Sequence, residues 1–293
     1  MTEPSPPAPR DLPFAIDLRR VHLAVGWIAF GLPLALLGLT FLPQVCFYGS
    51  ISHFYFSPVG GDLFVGMLSF IGLLLLFLYS FKAPGYDGAL GWHWYDVLAI
   101  RLAGLAALVV AFVPASGSGC VFGDGTVPRA FVQGAAGAED FPVAAPPGEE
   151  TPVSGTPSFD FPQTVFAQGP DSWLAAAHYI AAGVMFLILA YVVLVVFTRV
   201  NSDAALAPGN RKELRNRCYR GLGLVILAVV AVLFVKMLAV RDPSPVLKFW
   251  NTAHLTFAFE AMGLLAFGLA WMIKGRFLRA FEDRAAARQD RAA

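Results

Sequence analysis

Residues 49–62, GSISHFYFSPVGGD, gather polar side chains of the types that bind and convert small chemical groups. A hydroxyl can bind a headgroup or act as a nucleophile, and an imidazole or a carboxylate can transfer a proton as a general acid or base. Because the stretch lies between two long apolar runs, its polar character needs an explanation. The candidate side chains are Ser50, Ser52, Ser57, His53, Tyr55 and Asp62.

Two further histidines and one acid lie in later apolar runs, namely His178, His254 and Glu260. An ionised carboxylate inside a bilayer is costly, so Glu260 is expected to be protonated or paired, and it is the main functional candidate. Its expected partner is Lys236, Arg101 or an imidazole. The alternative is that Glu260 only bonds a polar residue on a neighbouring helix.

The histidines raise two cofactor hypotheses. His53, His178 and His254 could bind zinc and lower the pKa of a zinc-bound water, although no HxxxH or HExxH spacing supports such a site. Haem would need facing pairs, His178 with His254 and, at the other membrane face, His22 with His93. Hydrogen bonds between packed helices are the alternative to both. The cofactor is therefore unknown, with zinc favoured over haem.

Six apolar runs are long enough to cross a bilayer core of roughly 30 Å, which needs about 20 helical residues. The chain has 57% hydrophobic and 14% charged residues, whereas a soluble domain averages about 25% charged residues. Because lipid cannot satisfy backbone polar groups, the fold is predicted to be an all-α integral membrane bundle of six transmembrane helices. The predicted spans cover residues 21–42, 62–81, 97–115, 173–197, 221–240 and 252–273.

The loops on one side of this predicted bundle carry sixteen Lys and Arg residues, and those on the other side carry three. Since such residues accumulate in cytoplasmic loops, both termini are expected to be cytoplasmic and residues 49–62 to face outward. The predicted organisation is a cytoplasmic Pro-rich tail (1–20), transmembrane helices 1–3 (21–115), an extracytoplasmic Pro-rich acidic loop (116–172), transmembrane helices 4–6 (173–273) and a cytoplasmic basic tail (274–293).

Three pairings are suggested by position in the chain. Cys46 and Cys120 both fall on the predicted outer side, where a disulfide can persist, although sequence supplies no geometry for one. Arg101 follows Asp96 closely and is a candidate partner for it. Small residues in LAAAHYIAAG and AMGLLAFG favour close packing of the fourth and sixth spans, which would bring their histidines together.

Five stretches, in chain order, resemble a family of uncharacterised bacterial multipass membrane proteins: GSISHFYFSPVGGDLFVGMLSFIGLLLL, GYDG…YDVLAIRLAGLAALVVAFVPA, AAHYIAAGVMFLILAYVVLVVFT, NRCYRGLGLVIL and FEAMGLLAFGLAWMIKG. The family pattern has a SIS-x-YY motif, a DVFVG-like helix start, a His that opens a later span and a Glu in the last. The likeness covers all six spans but not the 116–172 loop, and it implies a bacterial inner-membrane location. The matching polar residues are Ser50, Ser52, Tyr55, Asp62, His178 and Glu260, whereas His53 and His254 match no family position.

More distantly, the chain is similar to Frag/Sfk-type multipass proteins associated with lipid remodelling. Its Ser, His and Asp residues also resemble, in chemistry alone, the zinc site of the alkaline ceramidase and adiponectin-receptor group. The SxxxH and HxxxH spacings of that group are absent here, and its seven spans exceed the six predicted.

The resemblance implies an architecture, and two functions stay open beside it. The first is a lipid-binding or accessory membrane protein in which the polar residues mainly pack helices. The alternative is a hydrolase or transferase of outer-leaflet lipids. Membrane lipids are the expected partners in both cases, while the net charge of +1 gives no sign of nucleic acid. The candidate catalytic residues are Glu260, His178 and Asp62, and the candidate substrate contacts are Ser50, Ser52, His53 and Tyr55.

Overall fold

The computed structural model describes residues 17–42, 45, 47–80, 92–115, 173–199, 211–239 and 244–281. Within these ranges six helices are long and apolar enough to cross a membrane, which confirms the predicted number. Cys46, Cys120 and the predicted 116–172 loop lie outside the described residues. The helices are α1 (Leu18–Leu39), α2 (Pro58–Phe77), α3 (Trp94–Phe112), α4 (Trp173–Tyr191), α5 (Lys212–Ala239), the short α6 (Pro245–Thr252) and α7 (Leu255–Lys274).

Helix α5 begins at Lys212 rather than at residue 221, where the apolar run starts. Its first turns carry charged side chains that are nevertheless tied into the bundle. The Lys212 ammonium donates to the Phe197 carbonyl at 2.8 Å, and the Arg215 guanidinium donates to the Phe281 carbonyl at 2.6 Å. Hydropathy measures compatibility with lipid and not the extent of a helix, so the sequence pattern could not reveal this extension.

The six long helices form a closed ring in chain order. Helix α1 packs against α2, α2 against α3, α3 against α4, α4 against α5, α5 against α7, and α7 closes the ring on α1. The expected close packing of the fourth and sixth spans is therefore wrong, because α5 lies between α4 and α7 and these two helices touch only slightly. Helices that are consecutive in the chain are therefore also neighbours in space.

Two of these helix pairs are brought together by reciprocal glycines. A Cβ on Gly268 of α7 would lie 2.7 Å from the Phe30 amide nitrogen and 2.8 Å from the Gly26 carbonyl oxygen of α1. Gly72 of α2 and Gly104 of α3 approach each other's backbone in the same way. Such close approach is typical of membrane bundles, where van der Waals packing between backbones replaces the hydrophobic effect as the driving force.

We expect Gly268→Ala to destabilise the protein by about 1–3 kcal/mol, because the new methyl group meets backbone atoms that cannot move aside. Gly66→Ala is the matched control, since a Cβ there meets nothing within 4 Å. Alanine is the better helix former by about 1 kcal/mol, so the control should be neutral or slightly stabilising. The unfolding free energy of both variants, measured by SDS titration in mixed micelles, checks this. Equal effects at the two positions would contradict the close α1–α7 crossing.

The ring turns its large apolar side chains both inward and outward. Val25, Leu32 and Ile71 are buried in the core, while Phe70 and Ile180 are exposed on the outside. Exposed apolar surface of this extent is unusual in a soluble protein but is expected where the surrounding solvent is lipid. This pattern agrees with helices that span a membrane.

Residues 47–57, called the capping loop below, connect α1 to α2 and fold back over one end of the ring. A 3₁₀ turn at Ser52–Phe56 buries Phe54 and Phe56 in the core. The Phe257 amide of α7 donates to the Gly49 carbonyl at 3.0 Å, which ties the loop to the last helix. The Ser57 hydroxyl then caps α2 by accepting from the Gly60 amide at 3.3 Å. The loop is thus an ordered element that holds its polar residues against the helix ends.

Candidate functional site

Four polar residues form a connected set of hydrogen bonds between the capping loop and two spanning helices. The Ser50 hydroxyl donates to Glu260 Oε2 at 2.8 Å, and the Ser52 amide donates to Ser50 Oγ at 3.1 Å. Ser52 Oγ lies 2.9 Å from His178 Nε2. This set, Glu260–Ser50–Ser52–His178, is called the polar chain below. It links α7 to α4 through the capping loop, although the two helices barely touch.

Glu260 is held by donors of the capping loop. The Ser50 hydroxyl also lies 3.0 Å from Oε1 of Glu260. The Ile51 amide donates to Oε2 at 2.6 Å. These contacts fix the loop relative to α7. Of the partners expected from the sequence, Lys236 of α5 lies close enough for its charge to act on Glu260. The principal partners are a hydroxyl and a backbone amide.

His178, in the second turn of α4, is held at both ring nitrogens. Nδ1 lies 2.6 Å from the Val113 carbonyl oxygen at the end of α3. A carbonyl can only accept, so Nδ1 carries a proton. In the neutral ring Nε2 is therefore unprotonated and accepts the Ser52 hydroxyl proton. This tautomer and this orientation are those that a general base next to a serine requires.

The remaining candidate site residues of the 49–62 stretch are Tyr55, His53 and Asp62. The Tyr55 hydroxyl donates to the Phe112 carbonyl at 3.4 Å, next to the carbonyl that holds His178. His53 is half-buried on the same 3₁₀ turn. Asp62 is exposed on α2. The structure thus brings together four of the seven candidate residues, Glu260, Ser50, Ser52 and His178, in one set of hydrogen bonds.

Tyr48, a residue of the capping loop, has a buried phenol ring. Tyr48 is buried against Phe54, with ring centroids 4.7 Å apart. Burial raises the pKa of Tyr48 to about 12, and a hydrogen bond with the Ser57 side chain offsets part of that effect. The hydroxyl is therefore neutral at ordinary pH, and Tyr48 serves as an apolar support for the loop.

His254 lies in the junction between α6 and α7, with a left-handed backbone conformation (φ 50°). The sequence places it inside the last span, but the helix begins only at Leu255. Its ring packs edge-on against Phe47 at 4.4 Å, and its buried Nδ1 has no hydrogen-bond partner among the described residues. His254 therefore supports the capping loop by packing.

The three histidines of the zinc hypothesis are not assembled as a ligand set in the described part of the chain. There, no three His, Cys, Asp or Glu side chains are grouped so as to hold a metal ion. Both nitrogens of His178 are engaged by protein groups. His22, a candidate haem ligand, lies with Nδ1 2.5 Å from the Tyr79 hydroxyl. With both nitrogens engaged, His178 has none left for a zinc ion or a haem iron in this arrangement.

A second polar cluster lies at the opposite end of the ring. Asp96, fully buried at the start of α3, accepts from the Tyr191 hydroxyl at 2.6 Å and from the His93 amide at 2.7 Å. The Arg199 guanidinium bonds both of its carboxylate oxygens. The expected partner, Arg101, is instead exposed. That expectation is wrong because a partner distant in sequence lies nearer in space.

The end of α4 explains how Arg199 reaches this position. The helix continues as a π-helical turn at Val192–Val196, in which the Phe197 amide donates to the Val192 carbonyl five residues earlier. Such wide turns are rare, and they change which side chains share a face. Here Tyr191 and Arg199, eight residues apart, both bond Asp96.

Sequence reasoning missed several of these groups for identifiable reasons. Ile51 and Val113 contribute backbone atoms, which leave no trace in residue type. The Tyr79 hydroxyl accepts a hydrogen bond from the Trp271 indole at 2.8 Å and contacts His22, so it joins α7 to α1. From the sequence, an aromatic residue near a helix end is interpreted as an interfacial anchor, so this role was not predicted. The signal in the sequence for the second polar cluster was Asp96, because an acid beside an apolar run needs a partner.

No protein-family model, no curated protein and no solved structure matches this chain. The resemblance to the bacterial multipass family therefore stays a prediction.

Proposed function

We propose that this protein is a membrane-embedded hydrolase of lipid esters, with Ser52 as the nucleophile and His178 as the general base. One observation carries the proposal: Ser52 Oγ lies 2.9 Å from His178 Nε2, while His178 Nδ1 is bound to the Val113 carbonyl at 2.6 Å. A nucleophile within hydrogen-bonding reach of a base, itself oriented by a third group, is the arrangement that activates a serine.

The reaction is acyl transfer in two steps. Ser52 Oγ attacks the carbonyl carbon of the ester, and its proton passes to His178 Nε2. The carbon–oxygen bond to the alcohol then breaks, and His178 returns the proton to the departing alkoxide, which leaves an acyl-serine. Water attacks the acyl-serine with His178 again as base, which releases the fatty acid and restores the Ser52 hydroxyl.

Glu260 and Ser50 act as positioning residues in this scheme. Glu260 binds the Ile51 amide and the Ser50 hydroxyl, and Ser50 Oγ accepts from the Ser52 amide. These bonds hold the backbone amide of the nucleophile and that of the residue before it. Ser52 retains 9% of its surface exposed and His178 only 1%, so the serine is the member of the pair that a substrate reaches first.

The charge distribution of the loops supports placing this reaction at the outer leaflet. With sixteen Lys and Arg residues on the opposite side and three on this one, the positive-inside rule puts both termini in the cytoplasm and the polar chain at the outer leaflet. The family resemblance adds the bacterial inner membrane as the location. Lipids of the outer leaflet are then the substrates.

The alternative is a lipid-binding or accessory protein in which the polar chain only braces the helices. Its members bond one another, and satisfied polar networks of this kind make a fold rigid. The two functions differ in whether the Ser52 hydroxyl reacts.

A serine-directed fluorophosphonate probe tests the proposal on the purified full-length protein in nanodiscs. We expect covalent labelling of Ser52, identified by peptide mass spectrometry, because His178 raises the nucleophilicity of that hydroxyl. Ser69 of α2 is the internal control, since its buried hydroxyl has no hydrogen-bond partner among the described residues and no base to activate it. Absence of labelling at Ser52, or equal labelling at both serines, would overturn the hydrolase and favour the binding protein.

A further inference from the structure

The short helix α6 carries an apolar surface that the other described residues do not cover. None of its eight residues is buried, and Val246 and Phe249 are exposed by 58% and 67%. Its first turn is capped by Ser244, whose hydroxyl accepts from the Leu247 amide at 3.1 Å. It is therefore a formed helix that leaves large apolar side chains open.

The side chains of α6 divide into two arcs. At about 100° per residue, the four apolar ones share an arc of about 160° and the polar ones occupy the opposite side. Half of the apolar arc, Leu247 and Trp250, is partly covered, and Trp250 stacks on Phe259 of α7 at 5.5 Å and bonds Thr256 at 2.8 Å. The exposed half continues that surface outward. The polar arc holds Lys248, Asn251 and Thr252.

We propose that α6 lies in the interface of one leaflet, with Val246 and Phe249 inserted at the boundary between headgroups and acyl chains. Only Ala253 and His254 separate α6 from the membrane-spanning α7. The last turns of α5 at the same end of the ring also expose apolar side chains, including Phe234 and Leu238. An amphipathic helix next to two lipid-facing helix ends is placed to meet the leaflet boundary.

The charge on the opposite arc fits the same occupant. Lys248 is exposed on the arc that points away from the apolar face, where it meets water and lipid phosphate groups. Through the stacked Trp250 and the left-handed His254, α6 is joined to Phe47 of the capping loop. These contacts connect the position of α6 in the lipid to the capping loop.

Spin labels test this placement without reference to any enzymatic activity. Phe249→Cys, Val246→Cys and Asn251→Cys are made separately in a chain whose Cys46, Cys120 and Cys218 are replaced by serine, and each is labelled in nanodiscs of phosphatidylcholine and phosphatidylglycerol. Labels at 246 and 249 should collide several-fold more often with oxygen than with an aqueous nickel chelate, and the label at 251 should show the reverse. All three positions are exposed, so folding is expected to be retained.

Two results would overturn the interfacial placement. Equal accessibility to the nickel chelate at the three positions would mean that α6 is surrounded by water. Protection from both collision partners at 246 and 249 would mean that another protein surface covers this face. Neither result bears on Ser52 labelling, so the two proposals fail independently.

Discussion

Ser52→Ala is expected to lower the turnover of lipid esters on the order of 10³-fold or more, because it removes the only atom that forms the acyl intermediate. His178→Ala should cost a similar factor, since Ser52 Oγ then has no base at 2.9 Å. Fatty-acid release from phosphatidylglycerol and phosphatidylethanolamine in proteoliposomes, followed by mass spectrometry, measures both. Ser69→Ala is the matched control and should leave the rate unchanged.

A double variant tests whether Ser52 and His178 act as one unit. Residues that act as one unit are not additive, so Ser52→Ala combined with His178→Ala should be no slower than either single variant. If the two effects multiply, the residues act separately, and the assignment of Ser52 as nucleophile and His178 as base is wrong.

Glu260→Gln should reduce the rate less than Ser52→Ala, because Glu260 is a positioning residue. Asp62→Asn should change the rate little, because Asp62 is exposed on α2. Thermal unfolding of each variant separates loss of chemistry from loss of fold.

Asp96→Ala is expected to destabilise the protein by about 3–5 kcal/mol, the range found when one partner of a buried ion pair is removed. The carboxylate is fully buried, and it accepts hydrogen bonds from Arg199, Tyr191 and the His93 amide. Without it, these donors lose their shared acceptor at the junction of α3 and α4. The side chain of Arg199 is 21% exposed and can turn toward water, which favours the lower end of the range.

Glu213→Ala is the matched control for Asp96→Ala. Glu213 pairs with Arg217 at 2.5 Å on α5, but both side chains are more than 70% exposed. An exposed pair of this kind contributes about 0.3–0.5 kcal/mol, so the control should be nearly neutral. Tyr191→Phe, which removes a single hydrogen bond to Asp96, should fall between them at about 1.5–3 kcal/mol. Unfolding free energies in mixed micelles check the order, and an Asp96→Ala effect no larger than that of Glu213→Ala would contradict a structural role for the buried pair.

Much of the candidate site could be anticipated because membrane chemistry makes polar residues conspicuous. Glu260 stands in an apolar run where a carboxylate is costly, and Ser50 and Ser52 interrupt the sequence between two spans. Their role could not be anticipated with the same precision. That Glu260 binds a hydroxyl and a backbone amide, and that His178 meets Ser52 rather than His254, depends on how the capping loop folds back over the ring.

The pairings that failed did so because sequence proximity is a poor guide to spatial proximity at helix ends. Arg101 is five residues from Asp96, yet it projects away, while Arg199 arrives through the π-helical turn at the end of α4. The small residues of the fourth and sixth spans predicted that these helices pack together, but the close glycine contacts occur between α1 and α7 and between α2 and α3. A small residue permits close approach without specifying the partner.

By itself, the sequence determined that the described part of the chain has six helices able to cross a membrane, because helix length and apolarity are local properties that the bilayer selects directly. It also determined which polar residues must find partners, since leaving them unpaired in lipid is costly. Only the tertiary structure decided which partners these are. The ring order of the helices and the path of the capping loop result from packing among residues far apart in the chain, and those contacts bring Ser52 to His178 and Arg199 to Asp96.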